Sequence, residues 1–148
     1  MQEYALSCRD KMKKSSTYTA KNALIDIVAK AESYCMLAPD FVNSLSLVLA
    51  GIEGAFQSVN DMYCIGFAFR DSGFKNIYMD NSNQVRHFIG YLLGGFYWGN
   101  LIKTLSAYRD DDIQDRALGD AGILVGLMIP YIGRVRGTRI SDWIRDNL

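Results

Sequence analysis

The stretch FIGYLLGGFYWGNLI, residues 88–102, decides the fold class of this chain because it contains no charged residue. Its apolar side chains recur at helical spacing on several sides, which is typical of a helix buried in the middle of a domain. The run of 15 residues is too short to span a bilayer, because a membrane helix needs roughly 18–20 residues. We therefore predict a buried, glycine-rich central helix from about residue 82 to residue 107.

Upstream of the central helix, the apolar pattern predicts two amphipathic helices. The first covers residues 18–37, with Thr17 or Thr19 as its N-cap. A proline separates it from the second, which covers residues 40–58. Residues 61–79 stay open between helix and strand, because their short apolar pattern fits both periods.

Downstream of the central helix, the pattern predicts three shorter helices. The first covers residues 112–118 and is expected to end at Gly119, with left-handed backbone there. Asp120 would cap the second, residues 121–132, and the third covers residues 140–148. We therefore expect an all-α fold, an irregular bundle of five to seven helices around the central helix, with little or no sheet.

The composition limits both the domain organisation and the classes of function. The chain has 148 residues, with 16 basic and 16 acidic side chains and a formal net charge of zero. This neutrality argues against general nucleic-acid or anionic-membrane binding, since both need a positive field. No linker or repeat divides the chain, so we expect residues 1–148 to form one domain. Three unpaired cysteines and the lack of a signal-peptide core predict reduced thiols and a cytoplasmic location.

One side of the central helix, which we call the glycine face, is unusual for its small residues. Each helical glycine costs up to about 1 kcal/mol relative to alanine, so something must offset several of them. One interpretation is close approach of a second helix, with Gly122 and Gly126 as the facing residues. The other is a ligand cleft. The residues on this face are Asn83, His87, Gly90, Gly94, Trp98 and Leu101.

The polar segment at residues 80–87 lies at the predicted start of the central helix. Free N–H groups and the helix dipole favour anions there, and Arg86 would add a bidentate contact to phosphate or carboxylate. The alternative is ordinary capping, with a histidine whose ring bonds a carboxylate or a carbonyl. The cleft interpretation therefore predicts binding of a small anionic ligand by Asn83, Arg86, His87, Gly90, Gly94 and Trp98.

Three residues are candidates for acid–base catalysis. His87 is the single histidine of the chain, and an imidazole suits proton transfer near neutral pH. Glu53 lies in an apolar, glycine-flanked stretch, where a carboxyl group is more readily protonated and can act as a general acid. With Asp80 or another aspartate it would be similar in logic to the two carboxylates of glycosidases. The alternative is an exposed or Arg-paired glutamate and a structural histidine.

An aspartate-rich stretch, DDIQD at residues 111–115, supplies the candidate metal ligands Asp111, Asp112 and Asp115. It resembles the motif of isoprenoid-type synthases, in which carboxylates hold magnesium. This chain has no second motif of that kind and is much shorter. The pattern therefore favours an acidic first turn that caps the helix at 112–118, and we expect no metal and no cofactor.

These patterns lead to one preferred function and one alternative. The preferred function is a small helical binding domain that presents a groove or a helical surface to a protein partner or a small ligand. A homo-oligomer formed through apolar helix faces is a further interpretation. The alternative is a small hydrolase, glycosidase-like or other, which uses Glu53 or His87 as general acid or base with an aspartate partner.

Overall fold

The computed structural model describes residues 1–35, 37–53, 57–58, 65–69, 72–79, 84–106, 112–132 and 139–148. Within these ranges the chain is an irregular all-α bundle of seven helices, which confirms the predicted fold class. The helices are α1 (Gln2–Lys14), α2 (Ala20–Tyr34), α3 (Ala38–Leu45), α4 (Gln84–Trp98), α5 (Leu101–Ser106), α6 (Ile113–Ile132) and α7 (Ile140–Asn147).

Short elements connect α3 to α4. They are a π-helical turn (Ser46–Ala50), a two-residue antiparallel ladder of β1 (Ile52–Glu53) and β2 (Gln57–Ser58), and 3-10 turns at Ile65–Ala68 and Asn76–Tyr78. Of the open region 61–79, the described parts are thus helical turns rather than strand.

The first helix, α1, is not predicted by the apolar pattern, because Ala5 and Cys8 are its only fully buried side chains. Polar contacts hold it to α2. The Tyr18 hydroxyl donates to the Asp26 carboxylate at 2.6 Å, and the Lys11 ammonium lies 3.9 Å from the centre of the Tyr18 ring. Burial, with the Asp26 hydrogen bond, strongly raises the pKa of Tyr18, so the phenol stays protonated and remains a donor.

The turn at Ser72 and Gly73, which is distant in the sequence, packs against the N-terminus of α2. Thr19 caps the first turn with its side chain, one of the two predicted caps. The backbone N–H of Ala20 donates to the Ser72 hydroxyl at 2.9 Å. Gly73 has a φ of 87°, and a Cβ there would lie 2.7 Å from the Thr19 Cβ. The turn at Ser72 and Gly73 therefore needs glycine at position 73 for both conformation and space.

The helix predicted over residues 40–58 is shorter in the structure. α3 passes into the π-helical turn, which ends at Gly51 with left-handed backbone (φ 68°). Next to it, a Cβ at Gly66 would lie 2.9 Å from the carbonyl carbon of Leu49. The chain leaves the helix where glycine permits positive φ, and another backbone segment packs directly against the last turn.

The predicted central helix, residues 82–107, is divided into two helices. α4 ends at Trp98, and Gly99 adopts left-handed backbone with a φ of 58°. α5 then folds back, so that Ile102 Cγ1 lies only 2.8 Å from the position of a Cβ on Gly94. The prediction of one continuous helix was wrong because an apolar pattern alone does not show where a glycine reverses the chain.

The predicted break at Gly119 was also wrong, because α6 continues through it. Gly119 lies within the helix, and the ring of Tyr91 lies 3.1 Å from the position of its absent Cβ. Asp120 is an exposed residue in the middle of the helix and not an N-cap. Packing against α4 explains this glycine without a change of backbone conformation.

Close contact between α4 and α6 forms the centre of the bundle. A Cβ on Gly122 would lie 2.6 Å from the carbonyl oxygen of Phe88, and one on Gly126 would lie 2.6 Å from the amide nitrogen of Phe96. Gly95 faces the backbone of α6 in the same way. These glycines let the two backbones touch, which confirms the predicted close approach of Gly122 and Gly126 to α4. The contact is made with Phe88, Gly95 and Phe96, and not with Gly90 and Gly94 of the glycine face as predicted.

The last helix, α7, is held at both ends by charged side chains of opposite sign. At its start, the Glu32 carboxylate accepts from the Ile140 N–H at 2.5 Å and the Ser141 hydroxyl at 2.6 Å. At its end, the Lys75 ammonium donates to the Asn147 carbonyl at 2.6 Å. An anion at the N-terminus and a cation at the C-terminus both complement the helix dipole.

Candidate functional site

His87 lies in the first turn of α4 and joins it to the first turn of α6. Its Nε2 lies 2.9 Å from the carbonyl oxygen of Asp115, and its Nδ1 lies 4.0 Å from the Asp115 carboxylate. A carbonyl accepts, so this bond places a proton on Nε2. The ring also packs against the Tyr91 ring, with the centroids 4.7 Å apart and the planes tilted by 52°, and the side chain is 16% exposed. His87 thus bonds a carbonyl, as expected under the alternative of ordinary capping with a structural histidine.

The described part of the aspartate-rich stretch lies at the N-terminus of α6. The Asp112 carboxylate accepts from the backbone N–H of Gln114 at 2.9 Å, which is an N-terminal cap. Asp115 faces His87, and Asp111 lies outside the described residues. In the described ranges, no group of three or more His, Cys, Asp or Glu side chains is placed to hold a metal ion. The capping interpretation of Asp112 is confirmed.

The predicted anion-binding residues do not all converge. The Nε of Arg86 donates to the carbonyl oxygen of Ala50 at 3.5 Å, at the end of the π-helical turn, whereas His87 points to α6. Asp80 and Asn83 lie outside the described residues. Arg86 and His87 therefore leave α4 on different sides.

Among the described residues, the two glycines of the glycine face differ in what lies next to them. Ile102 of α5 covers Gly94, whereas the nearest described atom to a Cβ on Gly90 is the Cδ1 of Ile52, at 4.0 Å. Glu53 follows Ile52 in the backbone of β1. Trp98 is half-buried at the other end. Whether this face binds a ligand stays a prediction.

The solvent side of α6 carries a row of residues that we call the outer stripe: Ile113, Arg116, Asp120 and Leu124. Spacings of three and four residues place all four on one side of the helix. Ile113 is 78% exposed and Leu124 is 49% exposed, and both charged residues between them are exposed. The stripe thus has large aliphatic side chains at both ends and opposite charges in the middle.

Helix α5 flanks one end of the outer stripe. Gly99 packs near Leu127, and the Lys103 ammonium lies 3.5 Å from the Asp120 carboxylate, so α5 runs antiparallel along α6. Leu101, 74% exposed, therefore lies near the level of Leu124. It was predicted on the glycine face, but the reversal at Gly99 takes it away.

The sequence pattern predicts the outer stripe only if the helix continues through Gly119. If α6 is divided there, Ile113 and Leu124 fall on different helices and share no face. On one continuous helix their separation of 11 residues is about three turns. Recognising the continuity of α6 would have been enough to find this surface.

Comparison with known proteins gives no further information about the site. No protein-family model matches the chain, and no curated protein or solved structure matches it either. Among the helices that the structure describes, none is long and apolar enough to cross a membrane.

Proposed function

We propose that the protein is a small helical interaction domain that binds a partner protein through the outer stripe and the adjoining Leu101. The observation that carries this proposal is the exposure of Ile113 (78%) and Leu101 (74%) on neighbouring helices. Large exposed apolar side chains grouped on one surface are typical of interaction sites. Full burial of an aliphatic side chain contributes about 1.5–3 kcal/mol, so a partner that covers this surface gains appreciable free energy.

The fold does not need apolar residues in the outer stripe. α6 contributes Ile123, Val125 and Ile129 to the core, and Gly122 and Gly126 to the contact with α4. These residues lie on the inner side of the helix. Ile113 and Leu124 lie on the outer side, where polar side chains would satisfy the fold equally well. This position supports a role for Ile113 and Leu124 in contacts outside the chain.

Site-specific cross-linking tests this proposal. A photoreactive amino acid is placed at Ile113 in one variant and at Asn22, which is exposed on α2, in a matched control. Both variants are irradiated in an extract of the source cells, and the adducts are identified by mass spectrometry. We expect a defined protein adduct at position 113 that is missing at position 22. Equal adduct patterns at the two positions would contradict the proposal.

A second candidate function is supported by the surroundings of His87. Asp115 is an aspartate partner at 4.0 Å, as a small hydrolase would need, and at Gly90 the nearest described atom to a Cβ is 4.0 Å away. Against this stands the bond from Nε2 to a carbonyl, which occupies one ring nitrogen in a structural contact. The test is hydrolysis of chromogenic esters and glycosides. Catalysis requires activity that His87→Asn abolishes while folding is kept.

We propose the same neighbourhood as the binding place of a small anionic ligand. Thermal denaturation with phosphate and simple carboxylates measures such binding, because a ligand of the native state raises the midpoint. We expect any shift to disappear in Gly90→Leu, which adds a side chain where Ile52 Cδ1 is the nearest described atom, at 4.0 Å from a Cβ. A shift of equal size in the variant would exclude this position as the ligand site.

A further inference from the structure

We infer that the partner is a second copy of this chain, docked by antiparallel pairing of the two outer stripes. This inference rests on the proposed function, because it names the partner of the same surface. It follows from the order of residues along α6 and from their charges.

The outer stripe is symmetric about its own midpoint. Ile113 and Leu124 lie at almost equal distances from a point near position 118, and so do Arg116 and Asp120. In an antiparallel pair of identical helices, residues at equal distances on opposite sides of the midpoint face each other. A two-fold axis at this point therefore places Ile113 against Leu124 of the partner subunit and Arg116 against Asp120 of the partner subunit.

The charges of the stripe complement those of its own copy. Each stripe carries one positive and one negative residue, and a two-fold axis brings unlike charges together twice. A register shifted by one turn would separate these pairs, so the charges also select the alignment. The chain as a whole has a formal net charge of zero. Long-range repulsion therefore does not oppose the approach of a second copy.

Residues of α5 extend the contact on each side. Leu101 lies near the level of Leu124 and adds apolar surface there, while Lys103 already lies 3.5 Å from Asp120. In the pair, each Asp120 would lie between Lys103 of its own chain and Arg116 of the partner subunit. Because the contact uses few side chains, we expect a small interface and a dimer that forms in the micromolar to millimolar range.

Sedimentation equilibrium with reversed charges tests the pairing. Arg116→Glu alone places like charges opposite each other at both ends of the pair, and so does Asp120→Arg alone. We expect each variant alone to weaken the dimer by about tenfold or more. In an equimolar mixture the two variants present unlike charges to each other, so we expect a heterodimer of at least the wild-type strength.

A matched control separates the pairing from a general effect of charge. Lys13→Glu changes the net charge by the same amount as Arg116→Glu, but on the exposed surface of α1. It should leave dimer formation unchanged, and circular dichroism should show that all variants are folded. A wild-type protein that stays monomeric up to millimolar concentration would overturn the inference, as would a mixture of variants that fails to associate.

The two proposals fail in different ways. A monomeric wild-type chain whose position 113 cross-links to another protein would contradict the dimer and support the interaction domain. A chain without a specific adduct at position 113, either to itself or to another protein, would contradict both.

Discussion

The same substitution, glycine to alanine, is expected to have opposite effects at Gly126 and Gly90. Both residues lie inside helices, so in both cases alanine improves helix propensity by up to about 1 kcal/mol. The difference lies in the space that the added methyl group would enter. At Gly126 it would lie 2.6 Å from the amide nitrogen of Phe96, whereas at Gly90 the nearest described atom is 4.0 Å away.

The size of each change in the free energy of unfolding depends on which atoms must move to make room for the methyl group. The obstacle at Gly126 is the backbone of α4, which no side-chain rotation relieves, so the helices must separate. Overpacking of this kind costs about 1–3 kcal/mol, and we expect the upper part of that range because backbone must move. After the gain in helix propensity, Gly126→Ala should lower the free energy of unfolding by about 1–2 kcal/mol. Gly90→Ala should raise it by up to about 1 kcal/mol.

Urea unfolding followed by circular dichroism measures both free energies. Two-state behaviour and equal denaturant slopes for wild type and variants are the condition for comparing them. Gly122→Ala is the matched control, since its Cβ would lie 2.6 Å from the Phe88 carbonyl oxygen and it should behave like Gly126→Ala. A Gly126→Ala protein as stable as wild type would refute the close contact between α4 and α6. Loss of stability in Gly90→Ala would contradict the expectation that a methyl group at this position meets no closer neighbour than the described Ile52.

Three further predictions concern polar contacts of the fold. Glu32→Ala removes the carboxylate at the start of α7 and should lower the free energy of unfolding by about 1–3 kcal/mol in urea; equal stability would show that the cap is unimportant. Asp112→Ala removes the cap of α6 and should cost about 0.5–2 kcal/mol by thermal denaturation, whereas Asp112→Asn should lose less. Because the pKa of Tyr18 is raised in the folded state, its contribution to stability is present below pH 10.0 and is lost as the pH rises further. The stability of Tyr18→Phe should therefore fall less steeply above pH 10.0 than that of wild type; parallel pH profiles would contradict the buried phenol.

The helices that the sequence predicts best are those that bury one clear stripe. α2 shows this, because its buried residues, such as Leu24 and Val28, recur at helical spacing, and Thr19 marks its start. α1 lacks such a stripe, since Ala5 and Cys8 alone are fully buried, and it was therefore missed. The apolar periodicity of a helix depends on how many of its side chains face the core. A helix that buries few side chains is therefore hard to predict from the sequence.

Glycine shows why the boundaries of the helices were harder to predict. Gly99 reverses the chain with positive φ, whereas Gly119 stays helical beneath the ring of Tyr91. Both follow a segment with helical spacing of its apolar residues, and this spacing does not show which of the two glycines ends a helix. The outcome depends on which part of the fold packs against each glycine, which the local pattern does not contain.

The candidate sites depend in the same way on contacts between distant residues. The bond between His87 and Asp115 joins positions 28 residues apart, and the bond between Glu32 and Ile140 joins positions 108 apart. The sequence predicted the kind of partner for His87, a carboxylate or a carbonyl, but not the residue. The outer stripe could have been predicted from the sequence, because it requires only that α6 is one continuous helix.

The most direct test of the antiparallel pairing of two outer stripes is nuclear magnetic resonance during dilution. Amide shifts of the wild-type chain are recorded from millimolar to low micromolar concentration. The dimer predicts shifts that change with concentration and cluster at Ile113, Arg116, Asp120, Leu124 and Leu101. Spectra that do not change on dilution, or changes that cluster on another face such as that of α1, would contradict the account.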